Sequence, residues 1–227
     1  MTIDWLPFLI AVLLLWLPRQ VLRLGGKVLR FGGRRRKIRD TNPAHVREHG
    51  DPAVSLREEI AKPRNTIDLL RATLGSVVIL GAFEGIEPAL RAGPGADAAE
   101  LQRVFFFQIA VLLAGVLIQT FRYEGRLTLF APIFYLSGLT FGMCGFYPAL
   151  FALVLVWTIN LGLPNAAAFL SVYALLVGTF GLMFDGLANP LPLIATGLLI
   201  LPVFFSLLLR RRLAQFSKRL KVPGSAA

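Results

Sequence analysis

The chain has 227 residues, of which 56% are apolar or aromatic and only 16% charged, with a formal net charge of +11. A soluble domain carries about a quarter charged residues and cannot hide this much apolar surface at this size. Composition therefore excludes a water-soluble enzyme, a disordered chain and a disulfide-stapled secreted domain, and leaves an integral membrane protein. The single cysteine, Cys144, has no partner in its own chain, so neither a disulfide framework nor a CxxC redox pair is available.

In chain order, the first apolar stretch covers residues 5–18 of a segment 1–18 and is shorter than the roughly 20 residues a spanning helix needs. Asp4 stands where a cleaved signal would carry positive charge, and no small-x-small site follows. The stretch reads as an anchor with its N-terminus outside, extended by snorkelling of Arg19 and Arg23. The alternative is a segment lying in the membrane interface.

A basic arm, residues 19–65, comes next. Arg19, Arg23, Lys27, Arg30 and Arg34 recur at helical spacing opposite Val21, Leu24, Val28 and Phe31, and Arg35, Arg36 and Lys37 continue the run. This pattern predicts contact with anionic lipid at the cytoplasmic face, where each basic residue contributes about 1 kcal/mol. The plainer reading is that these charges only set topology. Nucleic acid is not expected as a partner, since no recognised fold or aromatic stacking platform accompanies the charge.

Further along the arm, Asn42-Pro43 and Gly50 bracket a short predicted helix. Ser55 and Glu58 form a capping box for a second that ends before Pro63, and Asn65 or Thr66 is expected to cap the helix after it. His45, Glu48 and His49 match the H-x-x-E-H zinc pattern. The helix around them is only about two turns long, and a zinc enzyme also needs a third protein ligand and an enclosing fold. They read as solvated histidines, and no metal or cofactor is expected.

The region 66–210 holds six apolar stretches, at residues 69–89, 104–121, 127–143, 146–161, 166–184 and 191–209. Gly142, Gly145 and Pro148 favour a tight turn between the third and fourth over one long broken helix. The basic arm, the turn between Arg122 and Arg126, and the basic tail 211–227 all fall on one side if these stretches cross, which the positive-inside rule makes cytoplasmic. The expected fold is an all-α integral membrane bundle of six or seven transmembrane helices, most simply in a bacterial inner membrane with the C-terminus cytoplasmic.

Catalytic equipment is sparse. Neither histidine lies in a span, no lysine occurs between Lys62 and Lys218, and Gly25-Gly26-Lys27-Val28 lacks the hydroxyl of a phosphate-binding loop, so an enzyme is not expected. Ionisable groups in a membrane are the default functional pointers. Asp68 and Arg71, three apart, are expected to neutralise one another. Glu84, Glu87 and Asp185 fall at outer helix ends. Gln108, Ser137, Thr140, Thr158, Ser171 and Thr179 read as interhelical glue, and Asn160 is the polar residue least cheap to bury.

A recurrence marks the outer turns, with Phe83 to Leu90, Cys144 to Leu150 and Phe184 to Leu191 each passing through glycine and then proline. It suggests three related helical hairpins that gather Glu84, Glu87 and Asp185 at one outer mouth. The pairs Gly81/Gly85 and Gly138/Gly142 would permit close helix contact. Two functional expectations follow. The first is a non-enzymatic subunit or scaffold of a larger membrane assembly, bound to a membrane-protein partner or a second copy of itself. The second is a small transporter with Glu84, Glu87 and Asp185 at an acidic entrance and Asn160 in the path.

Overall fold

The computed structural model describes residues 2–18, 44–45, 55–81, 85–123 and 127–216 and is mostly helical. The basic stretch 19–37, Glu48, His49 and Glu84 lie outside the described residues. The helices are α1 (Trp5–Trp16), α2 (Leu56–Ile60), α3 (Pro63–Leu80), α4 (Ala98–Thr120), α5 (Ile133–Cys144), α6 (Phe146–Ile159), α7 (Ala166–Asp185) and α8 (Leu191–Leu208). Three short antiparallel pairs join them: β1 (Thr2–Ile3) with β3 (Leu90–Arg91), β2 (Ala44–His45) with β6 (Gln215–Phe216), and β4 (Phe121–Tyr123) with β5 (Leu127–Leu129).

Among the described residues three helices, α4, α7 and α8, are long and apolar enough to cross a membrane. Helix α3 matches α8 at 18 residues but carries Arg64, Asp68 and Arg71. Helices α1 and α5 have 12 residues each and α6 has 14. At 1.5 Å per residue they are about 18–21 Å long, well short of a hydrocarbon core about 30 Å thick.

Several expected boundaries are corrected. The stretch 69–89 is helical only as far as Leu80, because Gly81 adopts a left-handed φ of 65°. A Cβ at Gly81 would lie 2.8 Å from the Pro88 nitrogen, so only glycine lets the chain fold back here. The return is fixed when Ala89 N–H donates to the Val78 carbonyl at 2.9 Å. Gly85, also at positive φ, is a turn residue, so Gly81/Gly85 is not a helix-packing pair. Residues 127–129 of the third stretch form β5 instead of helix, and α5 starts only after Pro132, which disfavours the helical conformation at Ala131. Ser55 caps α2 as expected, accepting from Glu58 N–H at 3.3 Å. Helix α3 begins with Pro63 in its first turn, ahead of Asn65 and Thr66. Ala44 and His45 pair as a strand and not as part of a helix.

Small residues bring the helices together. Along the α3–α5 seam a Cβ on Gly138 would lie 2.3 Å from the Leu69 carbonyl, and one on Gly142 would lie 2.6 Å from Ser76 Cβ. Both numbers rise together along the seam, so α3 and α5 run parallel in close contact through the Gly138/Gly142 pair. Gly145, at φ 77°, reverses the chain between α5 and α6, and the rings of Phe134 and Trp157 meet 5.8 Å apart at the far ends of that hairpin. Gly181 faces Pro192 and Gly178 faces Thr196, which seats α7 antiparallel to α8.

Gly197, by contrast, sits inside α8 with open space where a Cβ would go. Gly197→Ala is expected to stabilise the protein by about 0.5–1 kcal/mol, the helix cost of glycine, read as a raised unfolding midpoint in detergent.

These pairings give the bundle two ends. The upper end holds β1, the segment 85–97, the Gly145 turn and the 186–190 connection. The lower end holds the close of α1, α2, the β4–β5 pair and residues 209–216.

Candidate functional site

The most unusual arrangement of polar groups surrounds the end of α1. The last four carbonyls of a helix have no partner within it, and in apolar surroundings each must find a donor elsewhere. Leu17 turns extended (ψ 116°), leaving those carbonyls open toward α3, α4 and α5. Three buried side chains supply the donors. Arg71 Nη1 donates to the Leu14 carbonyl at 3.3 Å and also to that of Leu17. Gln119 Nε2 donates to the Leu17 carbonyl at 3.0 Å, and Tyr135 Oη donates to that of Leu15 at 3.1 Å. Trp16 returns a bond from α1, its Nε1 donating to the Val111 carbonyl at 2.9 Å.

Charge within this clamp is balanced. Arg71 Nε lies 3.0 Å from Asp68 Oδ1, both side chains being 5% exposed, and its guanidinium sits 5.3 Å from the centre of the Tyr135 ring. The expected neutralisation of Asp68 and Arg71 is thus present, but the pair also positions Arg71 on α1. A cation at a helix C-terminus is favoured by the helix dipole as well. Space for the clamp comes from Gly75 and Gly115, which flank Leu15. A Cβ at Gly115 would lie 2.4 Å from Tyr135 Oη.

Other polar residues are spent similarly. Gln108 Nε2 donates to the carbonyls of Ile79 (3.0 Å) and Leu90 (2.9 Å), tying α3 to β3. The hydroxyls of Thr140 and Tyr173 are 2.9 Å apart across α5 and α7. Ser137 and Thr158 bond carbonyls of their own helices. Glu59, buried beside α3, accepts from Lys62 Nζ and from Asn65 Nδ2 at 2.7 Å. Among the described residues, three buried side-chain atoms have no hydrogen-bond partner: Arg71 Nη2, Thr120 Oγ1 and Trp157 Nε1.

Of the acids expected at one outer mouth, Glu87 and Asp185 engage separate partners. Glu87 pairs with Arg91, which also reaches Asp4 at 3.3 Å, so its charge is bound into the β1–β3 corner. Asp185, at the end of α7, accepts from Asn189 at 3.3 Å. Asn160 is buried but sits in the 3-10 turn that ends α6, away from mid-helix. Ser171 and Thr179 are exposed. Gln119 and Tyr135 were not singled out in the sequence. The available signal was an amide within an apolar run, at the end of the 104–121 stretch.

Among the described residues there is no group of three or more His, Cys, Asp or Glu suited to a metal ion. Fold and site together define a mostly helical protein with three helices long and apolar enough to cross a membrane and an interhelical carbonyl clamp. The chain matches no protein-family model, no curated protein and no solved structure.

Proposed function

We propose that the protein is a non-enzymatic subunit or scaffold of a larger membrane assembly. In this reading α1 and α3–α8 are embedded in a bacterial inner membrane, with the upper end outside and the basic arm and tail in the cytoplasm. The observation that carries it is how the interior polar groups are used. Arg71, Gln119, Tyr135 and Gln108 donate to backbone carbonyls, which fixes helices in place and does not line a path. Outward, only 33% of the most apolar window of α4 is buried, and Phe106 and Phe107 are exposed. Such a face suits lipid or the helices of a membrane partner. The distribution of charge supports the orientation: Arg91 above is paired with acids, and three consecutive arginines, Arg210, Arg211 and Arg212, are exposed below.

A transporter is the second reading, and two observations favour it. Helices α1, α5 and α6 are too short to cross alone, as in folds whose discontinuous helices build a midplane site. Arg71 Nη2 is a buried donor without an acceptor beside the open end of α1. Glu84, Glu87 and Asp185 would then form the outer entrance, with Asn160 at the lower end.

Native mass spectrometry of the gently extracted protein, followed by flux assays in liposomes, separates the two. A stoichiometric partner, unchanged in E87Q/D185N, is the result expected of a scaffold. Recovery alone, with a liposome flux that the same double substitution abolishes, would overturn it in favour of transport.

A further inference from the structure

The lower end of α8 closes with a set of hydrogen bonds that normally calls for glycine. Arg210 N–H donates to the Leu207 carbonyl at 3.2 Å and Arg211 N–H to the Ser206 carbonyl at 3.0 Å. This is a Schellman closure, and the residue in its left-handed slot is Arg210, at φ 51°. It is the one non-glycine residue at positive φ among those described. Ser206 Oγ reinforces the turn by donating to the Arg211 carbonyl at 2.5 Å. The backbone alone would be better served by glycine, so the arginine side chain there needs another reason.

The segment is also pinned on its far side. Leu213 and Ala214 are buried, Ala214 N–H donates to the Leu129 carbonyl at 2.9 Å, and Ala131 N–H donates to that of Ala214 at 3.0 Å. Arg210, Arg211 and Arg212 are therefore exposed on a short bridge held at both ends. Among the described residues, Arg210 and Arg212 make no ion pair. Directly above them on α8, Phe204, Leu207 and Leu208 are exposed. An apolar helix face that passes abruptly into fixed arginines matches the boundary between acyl chains and phosphates in a membrane leaflet. Merely setting topology would require charge in this region but not a fixed backbone, and not arginine in a glycine slot.

We infer that residues 210–212 form a site for the phosphate of an anionic phospholipid, with the exposed leucines and Phe204 against its acyl chains. Guanidinium groups suit this ligand because their planar fork offers paired donors to phosphate oxygens. The inference rests on the membrane-embedded reading above but is independent of scaffold or transport. It is also separate from the predicted lipid contact of the arm, whose residues 19–37 lie outside the described residues.

The test uses the full chain in detergent, titrated with phosphatidylglycerol or phosphatidylcholine and examined by native mass spectrometry. In R210G/R212Q, phosphatidylglycerol retention should fall about five-fold per arginine removed, the fold-change that corresponds to about 1 kcal/mol for each surface basic residue. Phosphatidylcholine retention should not change. R210G alone should unfold at a higher temperature than the parent while retaining less phosphatidylglycerol, so loss of lipid cannot be ascribed to misfolding. R103Q, at the upper end, should leave lipid retention unaltered. Equal phosphatidylglycerol retention in parent and R210G/R212Q would overturn the site, as would loss of a co-purifying acidic protein without loss of lipid. Failure of the membrane reading has a different signature, a parent protein that stays dispersed without detergent.

Discussion

Asp68→Leu is expected to lower the stability of the detergent-solubilised protein by about 3–5 kcal/mol, because it leaves Arg71 as a buried charge without its counter-charge. Removing both members of a buried ion pair is often nearly neutral when apolar residues of similar volume replace them. Here that recovery should fail. Arg71 also donates to the carbonyls of Leu14 and Leu17, and an unsatisfied buried group costs about 1–3 kcal/mol. The double variant D68L/R71L should therefore remain at least about 1–3 kcal/mol below the parent. Denaturant titration in micelles gives the comparison. Full recovery in the double variant would mean that Arg71 serves only Asp68 and that the clamp on α1 has no energetic weight.

The second large effect is expected at Gly138. A methyl group there would fall 2.3 Å from the Leu69 carbonyl and 2.7 Å from Ala72 Cβ. Neither obstacle is a flexible side-chain tip, so α3 and α5 must separate. Overpacking commonly costs about 1–3 kcal/mol, and separation of this seam would also strain the Thr73 hydroxyl bond to the Gly138 carbonyl. Gly138→Ala should lower the thermal midpoint clearly, while Gly197→Ala on α8 should raise it. The opposite signs matter because both substitutions put alanine for glycine within an apolar helix. If both variants moved the same way, helix propensity and not packing would govern these positions.

How much of this was legible depends on distance along the chain. Apolar stretches marked α7 and α8 to within a residue of their ends, and α4 at its C-terminal end but six residues late at its polar start, because length and hydropathy are local properties. Ser55 was legible as a cap for the same reason. The segment 127–132 was misread as helix because hydropathy does not distinguish an apolar strand from an apolar helix. The informative signals were the alternation Leu127-Thr128-Leu129 and the block imposed by Pro132. The stop at Gly81 was hidden by the apolar residues beyond it, and it needed Pro88 folded back against the glycine to become evident. Asp68 and Arg71 could be paired by spacing. The further use of Arg71 could not, since the carbonyls it serves lie more than fifty residues upstream, and Gln119 and Tyr135 more than a hundred residues downstream of their own carbonyl partners. A backbone carbonyl leaves no trace in residue type.

The clamp also bears on the order in which the protein is made. Helix α1 is synthesised before the groups that complete it, since Arg71, Gln119 and Tyr135 all follow much later in the chain. Until then its open carbonyls lack these donors, and a helix of 12 residues has little stability of its own. Helix α1 must thus wait for groups from three later helices before its end is complete. Nascent chains arrested before residue 135 should leave α1 accessible to labelling from the lower side, and chains arrested beyond it should not.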